Sequence, residues 1–168
     1  MLIMSAALVG GLDAADTSSF VAAHYATLRG WAEYLVGNAL DPGFQNQTDD
    51  FTGFIAHSSN LALKGIVGIG AMSVLARAAG NSADETRYHG IATNYIQQWV
   101  TKSMDSSGQH LKLAYDQNGT WSLKYNGYAD RLLGLNLIPA NVIGLEAAWY
   151  ASHANAYGVE LDPRHTYT

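Results

Sequence analysis

From Asn60 to Gly80 the sequence is an almost uninterrupted run of apolar and small residues, and this restricts the folds open to the chain. Most helices of folded domains keep one polar face, so a helix with this pattern must be covered on nearly every side. Its glycines at positions Gly65, Gly68 and Gly70 each cost about 1 kcal/mol relative to Ala, a cost tolerated where another backbone comes close. We therefore predict an interior helix here and a second one from Met1 to Gly11, which has the same character.

Two other segments, Ser18 to Asn38 and Ser82 to Met104, carry apolar side chains at three- and four-residue steps with charged side chains between them. This periodicity predicts amphipathic helices with one face in water. Ser82 followed by Glu85 has the spacing of a capping box, which predicts the start of the second helix. Interior and amphipathic helices therefore alternate along the chain, as they do in helical hairpins.

The alternation repeats with an offset of 68 residues, at which similar residues superpose. The superposed residues are Met4-Ser5 with Met72-Ser73, Asp16 with Asp84, Phe20 with Tyr88, and Trp31 with Trp99. Such self-similarity indicates an internal repeat of one structural unit. A third pair of helices is predicted from Thr120 to about Leu135 and from Pro139 to Tyr157, before a stop signal at Gly158.

Together these patterns predict an all-α fold of about three inner/outer α-hairpins in a single partial domain, residues 1–168. Stacked α-hairpins form either an open solenoid or a closed toroid. A solenoid should carry polar end caps, whereas this chain starts on residues of buried type and ends in a polar tail. We therefore expect an arc of a closed ring, about half of an (α/α)6 six-hairpin toroid.

The connections between the hairpins are long, and each leads toward the amino end of an inner helix. They span Ala39 to Ser59, Asp105 to Gly119 and the tail after Gly158. In the second connection, alternating residues near 110–117 predict a short strand or β-hairpin. Loops gathered on one face of a rigid scaffold are where binding and catalytic groups concentrate, so we expect a site at this rim.

Charge and composition exclude several classes of function. Nine Lys and Arg against fourteen Asp and Glu leave a net charge of -5, so there is no basic stripe for nucleic acid. With no Cys and no metal-binding motif in the sequence, we expect neither a bound metal nor a cofactor. No apolar run reaches the roughly 18 residues of a membrane span, so we expect no membrane partner.

Two polar clusters are candidate sites, and the first contains Asp49 and Asp50, followed by His57 and Asn60 at the entrance of the interior helix. Adjacent carboxylates can take different pKa values, which leaves one as a base and the other as an acid. An Asp before a helix is equally the ordinary cap and dipole partner. Both interpretations stay open at this point.

The second cluster lies on the third predicted inner helix, where aliphatic side chains would be expected. Its members are Trp121, Lys124, Tyr125, Asn126 and Asp130. Such a polar-aromatic patch suits a small polar ligand in the mouth of the ring, although Trp and Tyr at a helix start are also common packing residues. Arg164 in the tail could bind a carboxylate at the same mouth, or it could be solvated.

Three long segments resemble the carboxyl-terminal domain of fungal glutaminase A-type proteins. They are TDDFTGFIAHSSNLALKGIVGIGAM (Thr48–Met72), WSLKYNGYADRLLGLNLIP (Trp121–Pro139) and YGVELDPRHTYT (Tyr157–Thr168). The resemblance covers nearly the whole sequence. It implies a six-hairpin toroid, similar to that of many glycoside hydrolases, in a secreted protein of several hundred residues, so that this chain would be a fragment. Secretion would allow glycans at the Asn-x-Thr sites of Asn46 and Asn118.

The resemblance also implies a reaction, the hydrolysis of the side-chain amide of glutamine to glutamate and ammonia. The chain has no Cys and no Ser-x-x-Lys pair that could supply a nucleophile. Its residues allow attack by a water that Asp49 or Asp50 activates, while Lys124 or Tyr125 polarises the amide oxygen. The expected substrate-binding residues are His57, Asn60, Trp121, Asn126, Asp130 and Arg164.

Two other functions stay open from the sequence. The same scaffold could hold paired carboxylates around a sugar bond, with Trp and Tyr as stacking platforms, in a carbohydrate-active enzyme. A non-catalytic helical fragment that binds partners would instead expose a large apolar face. The expected partners are a small substrate, either glutamine or a sugar, and either the remaining hairpins of a parent chain or a second copy of this one.

Overall fold

The computed structural model of the protein describes residues 1–11, 14–45 and 53–164. The helices in them are α1 (Leu2–Val9), α2 (Ala14–Asn38), α3 (Ser59–Ala78), α4 (Ser82–Ser103), α5 (Tyr128–Leu132) and α6 (Ala140–Ser152). Two short strands, β1 (Phe44–Gln45) and β2 (Ile55–Ala56), pair antiparallel, and a 3-10 turn spans Tyr125–Gly127. The predicted all-α class is confirmed for this part of the chain.

Helix α3 lies at the centre of the core, as its apolar sequence predicts. It packs against α4, α2, α1 and the 3-10 turn, and most of its side chains are buried. Large side chains from the flanking helices, among them Leu28 of α2 and Tyr88 and Trp99 of α4, complete this core. Burial of this apolar surface is the main favourable contribution to folding.

Helix α3 also has the length and hydropathy of a membrane-spanning helix. It is long and apolar enough to cross a membrane, but 67% of its most apolar stretch is buried inside the protein, as is usual for a core helix. Lys64 and Arg77 are the charged residues of this helix, and its mean hydropathy is still that of a membrane span. The sequence prediction that no stretch reaches this length is therefore wrong for α3. That the chain has no membrane partner stays a prediction.

The pair α3 with α4 follows the predicted alternation of an interior and an amphipathic helix. Helix α1 is not the interior helix that the sequence predicts from Met1 to Gly11, because it packs against α3 with Ser5 buried but Ile3 86% exposed. The Ser5 hydroxyl donates to the carbonyl oxygen of Ala71 at 2.9 Å, which places α1 beside the carboxyl-terminal half of α3. Helix α4 starts differently from its prediction, because its N-cap is Asn81, whose side chain accepts from Asp84 N at 3.0 Å. Glu85 does not complete a capping box and instead binds Arg77 at 2.7 Å.

The third hairpin is shorter than predicted. Residues 120–124 are not helical, because the Thr120 hydroxyl donates to Gln117 O at 2.6 Å and accepts from Leu113 N at 3.2 Å, which ties it to the preceding loop. The inner helix is reduced to the 3-10 turn and α5. Helix α6 ends at Ser152 and not at Tyr157, because Asn155 forms a turn in which its side chain accepts from Tyr157 N.

The stretch near 110–117, predicted as a short strand or β-hairpin, forms isolated β-bridges and no β-hairpin. Isolated bridges pair Leu111 with Met104 at the end of α4 and Ala114 with Ser58 at the start of α3. The stretch therefore pairs with the flanking helix ends instead of folding back on itself, and Leu111 and Ala114 are buried.

Glu33 joins the two outer helices. Its carboxylate accepts from the Arg87 guanidinium at 2.5 and 2.9 Å and from the Tyr88 hydroxyl at 2.6 Å, both on α4. The hydrogen bonds from Arg87, and then that from Tyr88, lower the pKa of Glu33 from 4.5 to about 2.

This network predicts an acid-dependent loss of stability. As the pH falls from 4.5 to about 2, the unfolded chain binds a proton at Glu33 before the folded chain does, so the free energy of unfolding falls over that window. The effect should be modest because both partners are partly exposed. Glu33→Gln should reduce the pH dependence of the urea midpoint; identical pH dependence in the variant and the parent chain would contradict the prediction.

Candidate functional site

The described parts of the first two long connections, 39–59 and 105–119, meet at the amino end of α3. The backbone N–H of His57 donates to Gly43 O, and its carbonyl accepts from Tyr115 N, so this residue is bonded to both connections. Ser59 follows at the start of α3, and its hydroxyl donates to Leu113 O at 3.1 Å. Asn60 contacts the third hairpin. We call residues 57–60 the rim junction.

The rim junction carries a histidine–carboxylate pair. His57 Nδ1 lies 2.7 Å from Asp41 Oδ1, which also accepts from Gly43 N at 3.1 Å. Because a carboxylate only accepts, Nδ1 of His57 carries the proton, and Nε2 of the neutral ring is left as an acceptor. Both side chains are partly exposed, 38% for His57 and 46% for Asp41. The pair can therefore exchange a proton with a molecule at the rim.

Charge and backbone geometry support this interpretation of His57. The hydrogen bond that His57 Nδ1–H donates to Asp41 raises the pKa of His57 above 6.5, with a smaller contribution in the same direction from Asp116 and an opposing one from Lys102. The residue has a φ of 55°, in the left-handed region that costs a non-Gly residue about 1 kcal/mol or more. Both long connections hold it there, and such strained residues concentrate at functional sites.

Asn60 and Asn126 form the contact between the rim junction and the third hairpin. The Asn126 side chain donates to Asn60 O at 3.1 Å, and its backbone N–H donates to Asn60 Oδ1 at 3.4 Å. Asn60 is buried, whereas the neighbouring Tyr125 is exposed. The structure therefore brings these predicted site residues together, with the Tyr125 ring on the outer side.

Lys124 is half-buried, and its amine is directed at oxygens of the protein itself. Its amine donates to Ser122 O at 2.8 Å, to the Ser122 hydroxyl at 3.0 Å and to Leu111 O at 3.4 Å. Burial lowers the pKa of Lys124 from 10.5 to about 8, and nearby Glu146 opposes that shift. With its three protons directed at protein oxygens, Lys124 is placed to hold the loop and not to polarise a substrate.

Glu146 and Tyr150 of α6 complete this interior polar cluster. Glu146 Oε1 accepts from Leu111 N at 2.7 Å, and its Oε2 accepts from the Tyr150 hydroxyl at 2.5 Å. The Tyr150 oxygen in turn accepts from Lys124 N at 2.9 Å. A cavity of about 250 Å³ lies beside the cluster, between α3 and α6. These hydrogen bonds hold α6 against the segments that contain Leu111 and Lys124.

Three other predicted substrate-binding residues have structural contacts. Trp121 is buried, with its ring 6.4 Å from that of Tyr150 and 5.3 Å from that of His153. Since residues 120–124 are not helical, Trp121 and Lys124 do not lie on an inner helix, which corrects the prediction. Asp130 is fully buried. Arg164 binds Asp162 through its backbone N–H and its guanidinium, each at 2.9 Å.

Several predicted site residues lie outside the described residues. They are Asp49, Asp50 and the glycosylation site Asn46. The second glycosylation site, Asn118, is exposed, and its side chain exchanges hydrogen bonds with Ser106 at 2.7 and 2.9 Å. A glycan at either position stays a prediction. In residues 1–11, 14–45 and 53–164, no three His, Asp or Glu side chains are grouped so that they could hold a metal ion.

The sequence analysis missed two groups that the structure places at or near these clusters. Asp41 precedes Pro42-Gly43, and this Asp-Pro-Gly sequence is a turn signal that could have indicated a carboxylate beside the rim. Glu146 lies on the otherwise apolar α6, where a single acidic residue could have indicated a buried partner. Neither signal identifies the partner, because Asp41 pairs with His57, 16 residues away, and Glu146 accepts from Leu111 N, 35 residues away.

Comparison with known proteins decides the family. The model of the glutaminase A six-helical-hairpin domain matches residues 1–168. The chain belongs to this glutaminase A family. The predicted resemblance is thus confirmed, and so is the assignment of the helices to part of a six-hairpin fold.

The glutaminase A-family relatives are longer proteins from fungi. Glutaminase A of Aspergillus oryzae is 42% identical to this chain over 156 residues, which are 92% of this chain. A protein of Arthroderma benhamiae described as a probable glutaminase is 35% identical over an alignment of 199 residues that includes 95% of this chain. The chain spans 23% of the length of each relative. No solved structure matches it significantly.

Proposed function

We propose that this chain forms one side of the active site of a glutaminase that hydrolyses L-glutamine to L-glutamate and ammonia. The proposal is supported by membership of the glutaminase A family and by the names of the two relatives. The observation that carries it in the structure is the partly exposed His57–Asp41 pair at the rim junction. It supplies the acid–base group that amide hydrolysis needs.

In this proposal, a water molecule attacks the side-chain amide carbon of glutamine. Nε2 of His57 accepts the proton of that water, and Asp41 stabilises the imidazolium that results. The C–N bond then breaks, and the same proton passes to the nitrogen, which leaves as ammonia. Asp49 or Asp50 remains an alternative base, and Tyr125 remains the proposed donor to the amide oxygen. Lys124 is left out of this role because its amine already binds protein oxygens.

We further propose that the protein acts outside the cell and carries glycans at Asn46 and Asn118. The support is the pair of Asn-x-Thr acceptor sequences together with an exposed Asn118. We expect the intact mass of material secreted from a fungal host to fall on treatment with an endoglycosidase. An unchanged mass would contradict the proposal.

The function is tested in a chimera of the Aspergillus oryzae Glutaminase A in which this chain replaces the segment that it matches. We expect the chimera to release ammonia from L-glutamine. If a carboxylate of the Asp49-Asp50 pair is the base, the double variant Asp49→Asn, Asp50→Asn should lower kcat/KM at least about 100-fold. Glu85→Gln, at the opposite end of the α3–α4 hairpin, is the matched control and should leave kcat/KM unchanged.

The same chimera separates the alternative functions. Unchanged kcat/KM in the double variant would remove the Asp49-Asp50 pair from the mechanism and leave His57 as the base. Cleavage of glycosides without ammonia release would overturn the proposal in favour of a carbohydrate-active enzyme. A folded chimera without either activity would favour a non-catalytic binding role.

A further inference from the structure

The cavity between α3 and α6 reaches from the core to the surface of the protein. Its inner end is formed by Leu63 of α3, Trp99 of α4 and Leu111, which are at most 1% exposed. Its opening lies between α5 and α6, where the lining residues Arg131 and Ala147 are exposed. The second and third hairpins of this chain therefore form the cavity between them.

The cavity has the size of a small aromatic molecule. Its volume is about 250 Å³, whereas a dry apolar cavity of about 150 Å³ is large enough to bind benzene. A phenyl ring with a short chain, about ten non-hydrogen atoms in all, therefore fits. Protein interiors are otherwise packed as densely as organic crystals, so the walls of such a space gain packing contacts when a ligand fills it.

The walls offer the inner part of a ligand no hydrogen-bond donor. Aliphatic side chains of Ile138, Val142 and Ile143 form much of the lining. The Lys124 amine and the Tyr150 hydroxyl also belong to it, but both donate to oxygens of the protein itself. Because an anion without a donor is costly to bury, the inner part of a ligand has to be apolar.

The charged residues of the lining favour an anion at the opening. Lys124 and Glu146 have opposite charges and offset each other inside the cavity. Arg131 is the remaining charged residue of the lining, and no carboxylate of residues 1–11, 14–45 and 53–164 forms an ion pair with it. Tyr128 lies three residues earlier on α5, so its exposed phenol and the guanidinium are on the same side of that helix.

We propose that this cavity is a binding site for a small arylalkyl carboxylate. The aromatic ring of the ligand fills the apolar inner part, and its carboxylate accepts charge-assisted hydrogen bonds from Arg131 and a further one from the Tyr128 hydroxyl at the opening. The site differs from the rim junction, because neither His57 nor Asp41 belongs to the lining. The inference does not depend on the proposed enzymatic activity.

The test compares two probes of similar shape and different charge, 3-phenylpropionate and 3-phenylpropan-1-ol, titrated into this chain. Binding is followed by NMR with 13C-labelled isoleucine methyl groups, and the signals are assigned with Ile138→Val and Ile143→Val. We expect NOEs from the phenyl protons of the probe to both of these methyl groups. The carboxylate should bind at least about tenfold more tightly than the alcohol, because charge-assisted hydrogen bonds are the stronger ones.

Two pairs of variants locate the charge and the ring of the probe. Arg131→Gln should reduce the preference for the carboxylate to about twofold or less, whereas Arg77→Gln, which removes the same charge at the far end of α3, should leave it unchanged. Ala147→Phe places a ring at the opening and should abolish binding of both probes. Ala148→Phe is its matched control, because Ala148 is an exposed neighbour on α6 outside the lining, and binding should persist.

Three results would overturn the proposal. The first is equal affinity for the carboxylate and the alcohol, and the second is a preference for the carboxylate that survives Arg131→Gln. The third is the absence of saturable binding of 3-phenylpropionate, or binding whose NOEs all lie outside the cavity.

Discussion

Gly65→Ala should destabilise the chain by about 2 kcal/mol, the ordinary cost of overpacking a core. A Cβ at Gly65 of α3 would lie 2.6 Å from Cβ and 3.2 Å from Cα of Ala39, which follows the end of α2. Since Ala39 is itself buried and its N–H donates to Leu35 O at 2.7 Å, α2 cannot move away without cost. The substitution should therefore lower the urea midpoint markedly.

Gly90→Ala is the matched control for this prediction. Gly90 is an exposed residue within α4, and a Cβ there would meet nothing within 4 Å. The same substitution should stabilise the chain by up to about 1 kcal/mol, because Ala has the higher helix propensity. Equal effects at Gly65 and Gly90 would show that α2 and α3 do not approach as closely as the structure indicates.

Asp130→Ala should cost about 3 kcal/mol or more, because it leaves two backbone donors without an acceptor. The fully buried carboxylate of Asp130 accepts from Leu137 N at 2.9 Å and from Ile138 N at 3.2 Å. These bonds fix the connection between α5 and α6, in which Asn136 has a φ of 53°.

Asp130→Asn keeps one acceptor oxygen and should lose about half as much stability. Chemical denaturation of both variants measures the two losses. A loss of unfolding free energy below about 0.5 kcal/mol for Asp130→Ala would contradict this structural role. Asp130 would then again be a candidate substrate-binding residue.

The sequence predicts those parts of the fold in which local pattern and tertiary environment agree. Helix α3 is apolar on nearly every side and is in fact central, and the three- and four-residue periodicity of α2 and α4 matches their one-sided burial. Thr120 shows where such reasoning fails. It is a good N-cap residue, but its hydroxyl binds Gln117 O and Leu113 N, and that competition is not visible in a local pattern.

The sequence predicts where the candidate site lies, but it predicts only some of the residues that form it. Long connections leading toward inner helices indicated the rim, and His57 and Asn60 lie there. The sequence pattern predicts Lys124 and Tyr125 on one inner helix, whereas the chain is not helical at Lys124, whose amine binds oxygens of the protein itself. Asp41 could not be paired with His57 from sequence, because 16 residues separate them and only the folded connection brings them together.

The pH dependence of kcat/KM for L-glutamine, measured for the chimera and for its His57→Gln and Asp41→Asn variants, tests the central claim most directly. If His57 is the base, His57→Gln should lower kcat/KM at least about 100-fold without changing Tm by more than a few degrees. The acid limb of the parent profile should lie above pH 6.5, because Asp41 raises the pKa of His57.

Asp41→Asn keeps the imidazole but removes the charge that raises its pKa, so the acid limb should move to lower pH and the maximal rate should fall. Asp41 would then be a positioning residue that acts through His57. A profile that is the same in all three proteins, with kcat/KM within twofold of the parent value, would show that the rim junction takes no part in the reaction.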